Sequence, residues 1–556
     1  MDNYKLIADL LLPDIKTTTE YYEKIYPERQ LKDGAMITRF APSPTGFLHL
    51  GSIFGSLIDE RLAHQTGGIF YLRIEDTDKK REVKGSIEDV VKGLKTYNIF
   101  FDEGSIDEKN EKGAYGPYTQ SDRIDIYKCY VKALIEKGLA YPCFCSNEDL
   151  NNLRKFQESI KVNTGYYGKF AKHRSIKLKE IEENLASGKE YVIRLKSQGT
   201  PDKRITFRDR IKGEISMPEN IQDIVILKSD GLPTYHFAHA VDDHLMRTTL
   251  VVRGEEWLSS TPIHIQLFDM LGFKRVEYAH TSTLMKMDGT SKRKLSKRKD
   301  PELSFNYYDE QGYLPKAVIE YLLHIANSNF EDWRRENKKK AYTEFFVDIE
   351  KMSASGALFD LNKLMDISKE MVADMTAVEV YNSYIKWAEV YDEEMANLFK
   401  SDKDYGIKVF NIERESEKPR KDISKWTDVK KDLYFFFDEL YDSYNKMFQF
   451  PEFMDKKAIK EILTKYKEFY DDNDDQEKWF NNLKKFGESL GYASKVKDFK
   501  KNKDKYKGHV GDVAMVIRIA LTKSSITPDL YESIKLIGKS RFEKRLTEAA
   551  DFLGGI

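Results

Sequence analysis

A chain of 556 residues, 40% hydrophobic and 13% aromatic, is long enough for three or four packed modules and has the apolar share of a globular protein. No apolar run is long enough to span a bilayer, the first thirty residues lack the basic-then-apolar order of a secretory signal, and three cysteines argue against a disulfide framework and for a reducing compartment. The net charge of −1 gives no global attraction to nucleic acid, so RNA binding would rest on local basic contacts.

Residues 1–36 read as an N-terminal extension. Leu6, Leu10 and Leu11 form one face of a short helix, and Tyr21, Tyr22 and Ile25 lie on a second; both are expected to pack against the body. Met36, Ile37 and Phe40 then end a strand, where Pro42 and Pro44 stop any ladder for want of an amide donor. Gly46 allows a tight turn. Leu48, Leu50, Ile53, Phe54 and Leu57 follow at helical spacing. Strand, turn and helix start aim amides at an anion. Gly51 would let a flat ring or a phosphate approach the backbone, and His49 could donate to a phosphate oxygen. The plain alternative is a βα turn with a surface histidine. The whole run from Arg39 to Ser52, RFAPSPTGFLHLGS, closely resembles the first signature of class I aminoacyl-tRNA synthetases, in the form used by glutamyl and glutaminyl enzymes. The resemblance implies an ATP site with His49, Gly51 and Ser52, His49 and Gly51 being catalytic. It also implies a glutamate site that includes Arg39, Ala41 and Ser43.

The next strand, in GGIFYLRIEDTD, ends in Glu75, Asp76 and Asp78, and strand ends of an open α/β sheet are where ligands bind. Alone, the acidic run reads as a solvated turn. By resemblance Glu75 faces the amino group of glutamate. FFDEG and GPYTQSDR continue the family pattern, with Phe101 where a tryptophan is usual. From about Tyr127 to Asn220 the chain leaves the nucleotide fold, and family resemblance makes this insertion the holder of the tRNA acceptor end. Its Cys143 and Cys145 could be half of a zinc site. Many relatives complete that site with YxxxC, but here Phe170 falls where the cysteine would be, and His173 stands at another spacing. Zinc is therefore not expected, and Cys129 reads as a helix-face residue.

Ile224 to Leu227 make a buried strand, and Tyr235, His239, Asp242, Asp243 and His244 crowd the segment after it. Such a cluster can suggest a metal, but carboxylates paired with histidine are commoner. By resemblance Tyr235, His239 and Arg253 line the glutamate pocket, and Glu256 meets the ribose or adenine side of ATP. Arginine suits that place because its fork pairs bidentately with a carboxylate, whereas the amide of glutamine would oppose donor to donor. KLSKR, Lys294 to Arg298, resembles the second class I signature. Its paired lysines supply positive charge where a pyrophosphate leaving group develops negative charge. The resemblance makes Lys294 and Lys297 catalytic, and puts Met285, Leu295, Ser296 and Arg298 in the ATP site with them. The preceding TSKR lengthens this loop relative to the usual spacing.

The remainder reads as helical, with Trp387, Trp426, Phe435, Phe436 and Phe437 as core, and without the short alternating strands of the barrels that end glutaminyl enzymes. The lysine-rich run Lys495 to Gly508 is a solvated face or a phosphate contact. The layout implied is an α/β, Rossmann-type catalytic domain in two halves, 37–126 and 221–300, split by the acceptor-end insertion 127–220. A stem-contact linker, 301–370, and an α-helical anticodon-binding region, 371–556, follow. The activity implied is ATP-dependent attachment of glutamate to tRNA(Glu) through an adenylate. Mg²⁺ on the phosphates, a monomeric state and a cytoplasmic location are expected with it. A glutaminyl enzyme, an enzyme that also charges tRNA(Gln), and a non-catalytic RNA-binding paralogue are the alternatives.

Overall fold

The computed structural model describes residues 2–44, 48–79, 83–296, 298–443 and 447–554. The chain divides into two units, Met1–Tyr307 with Ile319–Asp360, and Tyr308–Val318 with Leu361–Ile556.

The first unit is built on parallel strands. Ile37–Phe40 pairs with Ile69–Leu72, which pairs in turn with Glu103–Ser105. On the other side Thr249 donates its amide to Ile37 O (3.0 Å), which brings in the strand Leu250–Gly254 and its parallel neighbour Glu277–Thr281. The order runs outward from the first strand in both directions, as in doubly wound folds, and ligands in such folds bind outside the carboxyl ends at the switch point. The helix Leu50–Gln65 covers the sheet and buries Ile53, Phe54, Leu57 and Ile58.

Between the halves lies a three-stranded antiparallel sheet of Ala140–Cys143, Val192–Leu195 and Val225–Leu227. A hairpin, Arg204–Asp209 with Gly213–Pro218, hangs from the edge of Glu277–Thr281 through the pairing of Tyr278 with Asp209.

The N-terminal segment does pack on the body, but on a different face from the one expected. Ile7, Ala8 and Leu11 are buried in the same core as Ile126, Tyr130 and Leu134, while Leu6 and Leu10 are 51% and 39% exposed. The helix Ile124–Glu136 lies on the side of Ile7 and Leu11, and that position decides the buried stripe. The extension is then pinned by polar bonds. Arg29 forks onto Glu103 (2.8 Å twice), and Glu23 bonds to His244 (2.7 Å) and Arg247 (2.8 Å).

The second unit contains helices and no strand among its described residues. Some of its helices start on side-chain caps, such as Thr376 with Glu379 in a reciprocal pair and Asp392 before Glu393–Ser401. Trp426, Phe435, Phe436 and Phe437 are in its core as expected, and Trp387 packs against it half-buried. Buried Arg545 donates to the carbonyls of Phe435 (2.8 Å) and Leu521 (2.9 Å), tying two helix ends together.

Candidate active site

An open cleft of about 1220 Å³ lies at the carboxyl ends of the parallel strands. Arg39, Ala41 and Ser43 reach it from the first strand and the turn beyond, Glu75 from the second, and Arg253 and Glu256 from Leu250–Gly254 and its extension. Tyr235 comes from the start of the helix Tyr235–Leu245, and His49, Gly51 and Ser52 from the start of Leu50–Gln65. Lys294 and Leu295 close the remaining side. Residues far apart along the chain therefore meet in one cleft. His239, Met285, Ser296 and Arg298 do not line the cleft. Gly46 and Lys297 lie outside the described residues.

The amino-acid side rests on a buried ion network. Arg73, fully buried, donates to Asp243 Oδ1 (2.7 Å) and Glu75 Oε1 (2.9 Å). Arg39 Nε lies 3.3 Å from the same Asp243 oxygen. Burial opposes the charge on Arg39, but Asp243 more than offsets this and holds the guanidinium protonated. Burial pushes the Glu75 carboxyl up from its ordinary value, against the pull of Arg73 and Arg39. His239 is completely buried, with Nδ1 2.7 Å from Asp243 Oδ2 and Nε2 3.1 Å from Tyr278 Oη. This is the carboxylate–histidine pairing, set beneath Tyr235 and away from the cleft wall. Asp242 is used one layer deeper, by Arg123 (2.7 Å), Gln120 (2.8 Å) and Tyr127 (2.7 Å). The sequence reading did not single out Arg73; a buried arginine between two apolar strand residues, Leu72 and Ile74, was the available signal.

Arg253 is held more tightly than a bidentate reader of substrate would be. Nε donates to His280 Nε2 (2.9 Å), Nη1 to His264 Nδ1 (3.1 Å), and Nη2 to Thr261 Oγ1 (3.1 Å) and Trp257 O (3.4 Å). Its guanidinium also lies over the ring of Tyr278, 4.7 Å from the centroid.

On the phosphate side, His49 caps Leu50–Gln65. Its Nδ1 accepts the amide of Ser52 (3.1 Å), which leaves the ring proton on Nε2. A Cβ on Gly51 would stand 3.0 Å from His49 Nδ1, so the flat ring that Gly51 admits is that of His49 itself. The residues that lengthen the KLSKR loop form a hairpin, Leu284–Asp288 with Ser291–Lys294. Arg293, one of them, forks onto Asp300 (2.6 and 2.7 Å), and Asp300 also accepts the amide of Ser296 (2.9 Å). The side-chain bond from Arg293 holds the Asp300 carboxyl far below its ordinary value. The longer loop is thereby stapled across its base, and Asp300 is a supporting residue that motif spacing did not reveal.

In the insertion the reading of His173 needs correction. Cys143 Sγ, Cys145 Sγ and a His173 ring nitrogen all lie within 4.8 Å of one another. His173 Nδ1 is 3.4 Å from Cys145 Sγ, and Tyr166 Oη is 3.4 Å from His173 Nδ1 and 3.6 Å from Cys145 Sγ. Spacing along the chain set His173 aside. A turn through 171–174, closed by Arg174 N to Ala171 O (3.0 Å), brings its ring back to the thiols. The Cys143 thiol is held below its ordinary value, first because Cys145 donates to it and then because His173 and Tyr166 do.

Residues 35–366 match the family described as tRNA synthetases class I (E and Q), catalytic domain, and residues 393–550 match an anticodon binding domain. A parallel sheet with the ligand cleft at its switch point, a cleft shared by the two signatures and a helical second unit define a class I aminoacyl-tRNA synthetase. The chain belongs to the class I tRNA synthetases of the E and Q group. Over 545 residues, 98% of this chain and 100% of the relative, it is 52% identical to the glutamate–tRNA ligase of Clostridium perfringens strain 13. It is 50% identical to the glutamate–tRNA ligase of Acetivibrio thermocellus over 98% of this chain and 99% of the relative. A crystal structure of a glutamate tRNA ligase from Elizabethkingia meningosepticum, in complex with its amino acid, superposes with a TM-score of 0.72 at 29% identity. That likeness covers 93% of this chain and 99% of the other.

Proposed function

We infer that the chain is a glutamate–tRNA ligase, joining L-glutamate to tRNA(Glu) at the expense of ATP. The observation that carries this is the meeting of Arg39, Arg253 and Glu75 in the cleft that also receives His49 and Lys294. Full-length relatives bearing the same activity in their names support it. In the first step an α-carboxylate oxygen of glutamate attacks the α-phosphorus of ATP, and the bond to pyrophosphate breaks. In the second, a terminal ribose hydroxyl of the tRNA attacks the carbonyl carbon of the adenylate and AMP leaves. The protein positions charges and stabilises those that develop. Arg39 and Arg253 face the side-chain carboxylate of glutamate, with Tyr235 as wall. Glu75 faces the ammonium. The Nε2 proton of His49, the start of Leu50–Gln65 and Lys294 face the phosphates. Lys297 is assigned the same work from KLSKR. ATP enters as its Mg²⁺ salt, the ion being held by phosphate oxygens.

The reading extends to the modules: 127–220 for the acceptor end, 301–370 for the stem and 371–556 for the anticodon, the last supported by the anticodon-domain match over 393–550. It carries with it a monomer working in the cytoplasm. No helix among the described residues is long and apolar enough to cross a membrane. Cys143, Cys145, His173 and the Tyr166 hydroxyl fit a tetrahedral cation such as zinc in donor type and spacing. Such an ion would brace the insertion and take no part in the transfer.

The test is charging of purified tRNA(Glu) with labelled glutamate. Acid-precipitable glutamate should accumulate only when ATP, glutamate and tRNA are all present, with one AMP formed per glutamate joined. A chain that binds tRNA(Glu) without forming AMP would be an RNA-binding paralogue.

A further inference from the structure

Arginine can only donate hydrogen bonds, and this fixes every proton in the nest that holds Arg253. His280 Nε2 and His264 Nδ1 both face Arg253 donors, at 2.9 and 3.1 Å, so both must present lone pairs. His280 therefore carries its proton on Nδ1, which lies 2.6 Å from Asp209 Oδ2. His264 carries its proton on Nε2, 2.9 Å from the Nδ1 lone pair of His236. All three rings must be neutral. Burial does push each of them down, His236 to about 4. Asp209, His264 and His280 are completely buried.

Asp209 is in turn fixed by the hairpin it ends. Its Oδ1 accepts the amides of Ile211 (3.0 Å) and Lys212 (2.9 Å), and its Oδ2 accepts the amide of His280 (3.1 Å) as well as the ring. Burial alone would raise this carboxyl, but the bonds from His280 and the amides hold it below its ordinary value. The carboxylate is thus an acceptor on both oxygens. Its strand, Arg204–Asp209, lies within the inserted module, whereas Arg253 and His280 end strands of the nucleotide fold.

We propose that Asp209 is a positioning residue for amino-acid recognition: by taking the Nδ1 proton of His280 it keeps the Nε2 lone pair turned to Arg253, and so sets the guanidinium in the glutamate pocket from the inserted module. This rests on the reading of Arg253 as a glutamate-facing residue. Asparagine at 209 makes the point physically. Its oxygen is claimed by the two turn amides, so its NH₂ faces His280 Nδ1. The ring must then move its proton to Nε2 and meet the Arg253 Nε–H donor to donor.

The experiment measures kcat and KM for glutamate, glutamine and ATP with tRNA(Glu), together with melting temperature. It compares wild type with D209N, H280Q, D209N/H280Q, H280F and R253Q. D209N should lose about tenfold to a hundredfold in kcat/KM for glutamate, the scale on which partners behind a ligating histidine act. The loss should appear mainly in KM, with the KM for ATP within about twofold of wild type. H280Q keeps an oxygen that can accept the Arg253 bond without depending on a ring proton, so its own loss, whatever its size, no longer depends on Asp209. D209N should then add less than about threefold in the H280Q background, since its route to Arg253 is gone. Losses that multiply in the double variant, or a D209N loss shared equally by ATP and glutamate, would reduce Asp209 to a support of the hairpin and overturn the proposal. If D209N does not fold, H280F decides: it removes the acceptor at similar size and should match the loss expected of D209N, and near-normal glutamate use by H280F would overturn the proposal. R253Q separates the two levels. Equal losses for glutamate and glutamine in R253Q would remove Arg253 as reader and the proposal with it. A glutamate-selective loss in R253Q beside a D209N indistinguishable from wild type would remove the positioning role alone.

Discussion

On the proposed reading of Glu75 as the residue that faces the ammonium, one side chain serves binding at the expense of stability. Burial raises its carboxyl above the ordinary glutamate value of 4.5. A carboxyl raised on folding makes the native state bind more protons than the unfolded one. Glu75 therefore costs stability at neutral pH, and this cost is relieved as pH falls through its raised value. Binding has the opposite sign, because only the carboxylate attracts the ammonium of glutamate. The KM for glutamate should thus rise as pH is lowered, starting above pH 4.5, while the KM for ATP changes less. Steady-state kinetics between neutral and acid pH in wild type and Glu75→Gln check this. The variant should have a high KM throughout and should lack the acid limb, and an unchanged limb in it would assign the titration elsewhere.

At the scale of elements, two short segments show what a sequence does and does not disclose. The strand, turn and helix start around His49 were legible because their punctuation is local. Proline ends the ladder, an N-cap starts the helix, and Gly51 makes room within two residues of the ring it accommodates. The closeness of His173 to Cys143 and Cys145 was not visible in the sequence, because it depends on a turn 28 residues away that no periodicity marks. Asp209 and His280 are 71 residues apart and meet only because two strands pair in parallel through Tyr278 and Asp209. The face of the first helix was likewise unreadable. Leu6 and Leu10 are as apolar as Ile7 and Leu11, and only the position of the partner helix chooses between them. The cluster carries its own prediction. Protein purified without added metal should contain about one zinc per chain, because two thiols, an imidazole and a phenol at these spacings suit a tetrahedral ion. Elemental analysis of wild type and of a Cys143→Ser, Cys145→Ser variant is the check. The variant should lose the metal and melt lower, and wild type with well under one zinc would return the pair to two plain thiols.

For the whole molecule, a family match over residues 35–366 and another over 393–550 coincide with an α/β unit that holds the cleft and a helical unit. The helical second unit was read correctly because amphipathic spacing and aromatic density persist over long stretches, and its aromatics are core. Both signatures bring residues to the cleft, and Asp243 was visible as one member of the cluster that follows Ile224–Leu227, while the other supports, Arg73, His264 and His280, were fixed by folding and were not visible as motifs. Those supports bear on selectivity. Arg253 spends most of its donors on His280, His264, Thr261 and Trp257, so on the proposed reading carboxylate recognition would fall jointly to Arg253 and Arg39. Two guanidinium groups suit a carboxylate and oppose the donor end of an amide. The central claim is that this cleft selects glutamate. Its most direct test is the ratio of kcat/KM for glutamate to that for glutamine, measured with the same purified tRNA(Glu). A site built to pair a buried charge discriminates on the order of ten-thousandfold, so glutamate should be favoured by about that factor. A ratio near one, or a preference for glutamine, would contradict it.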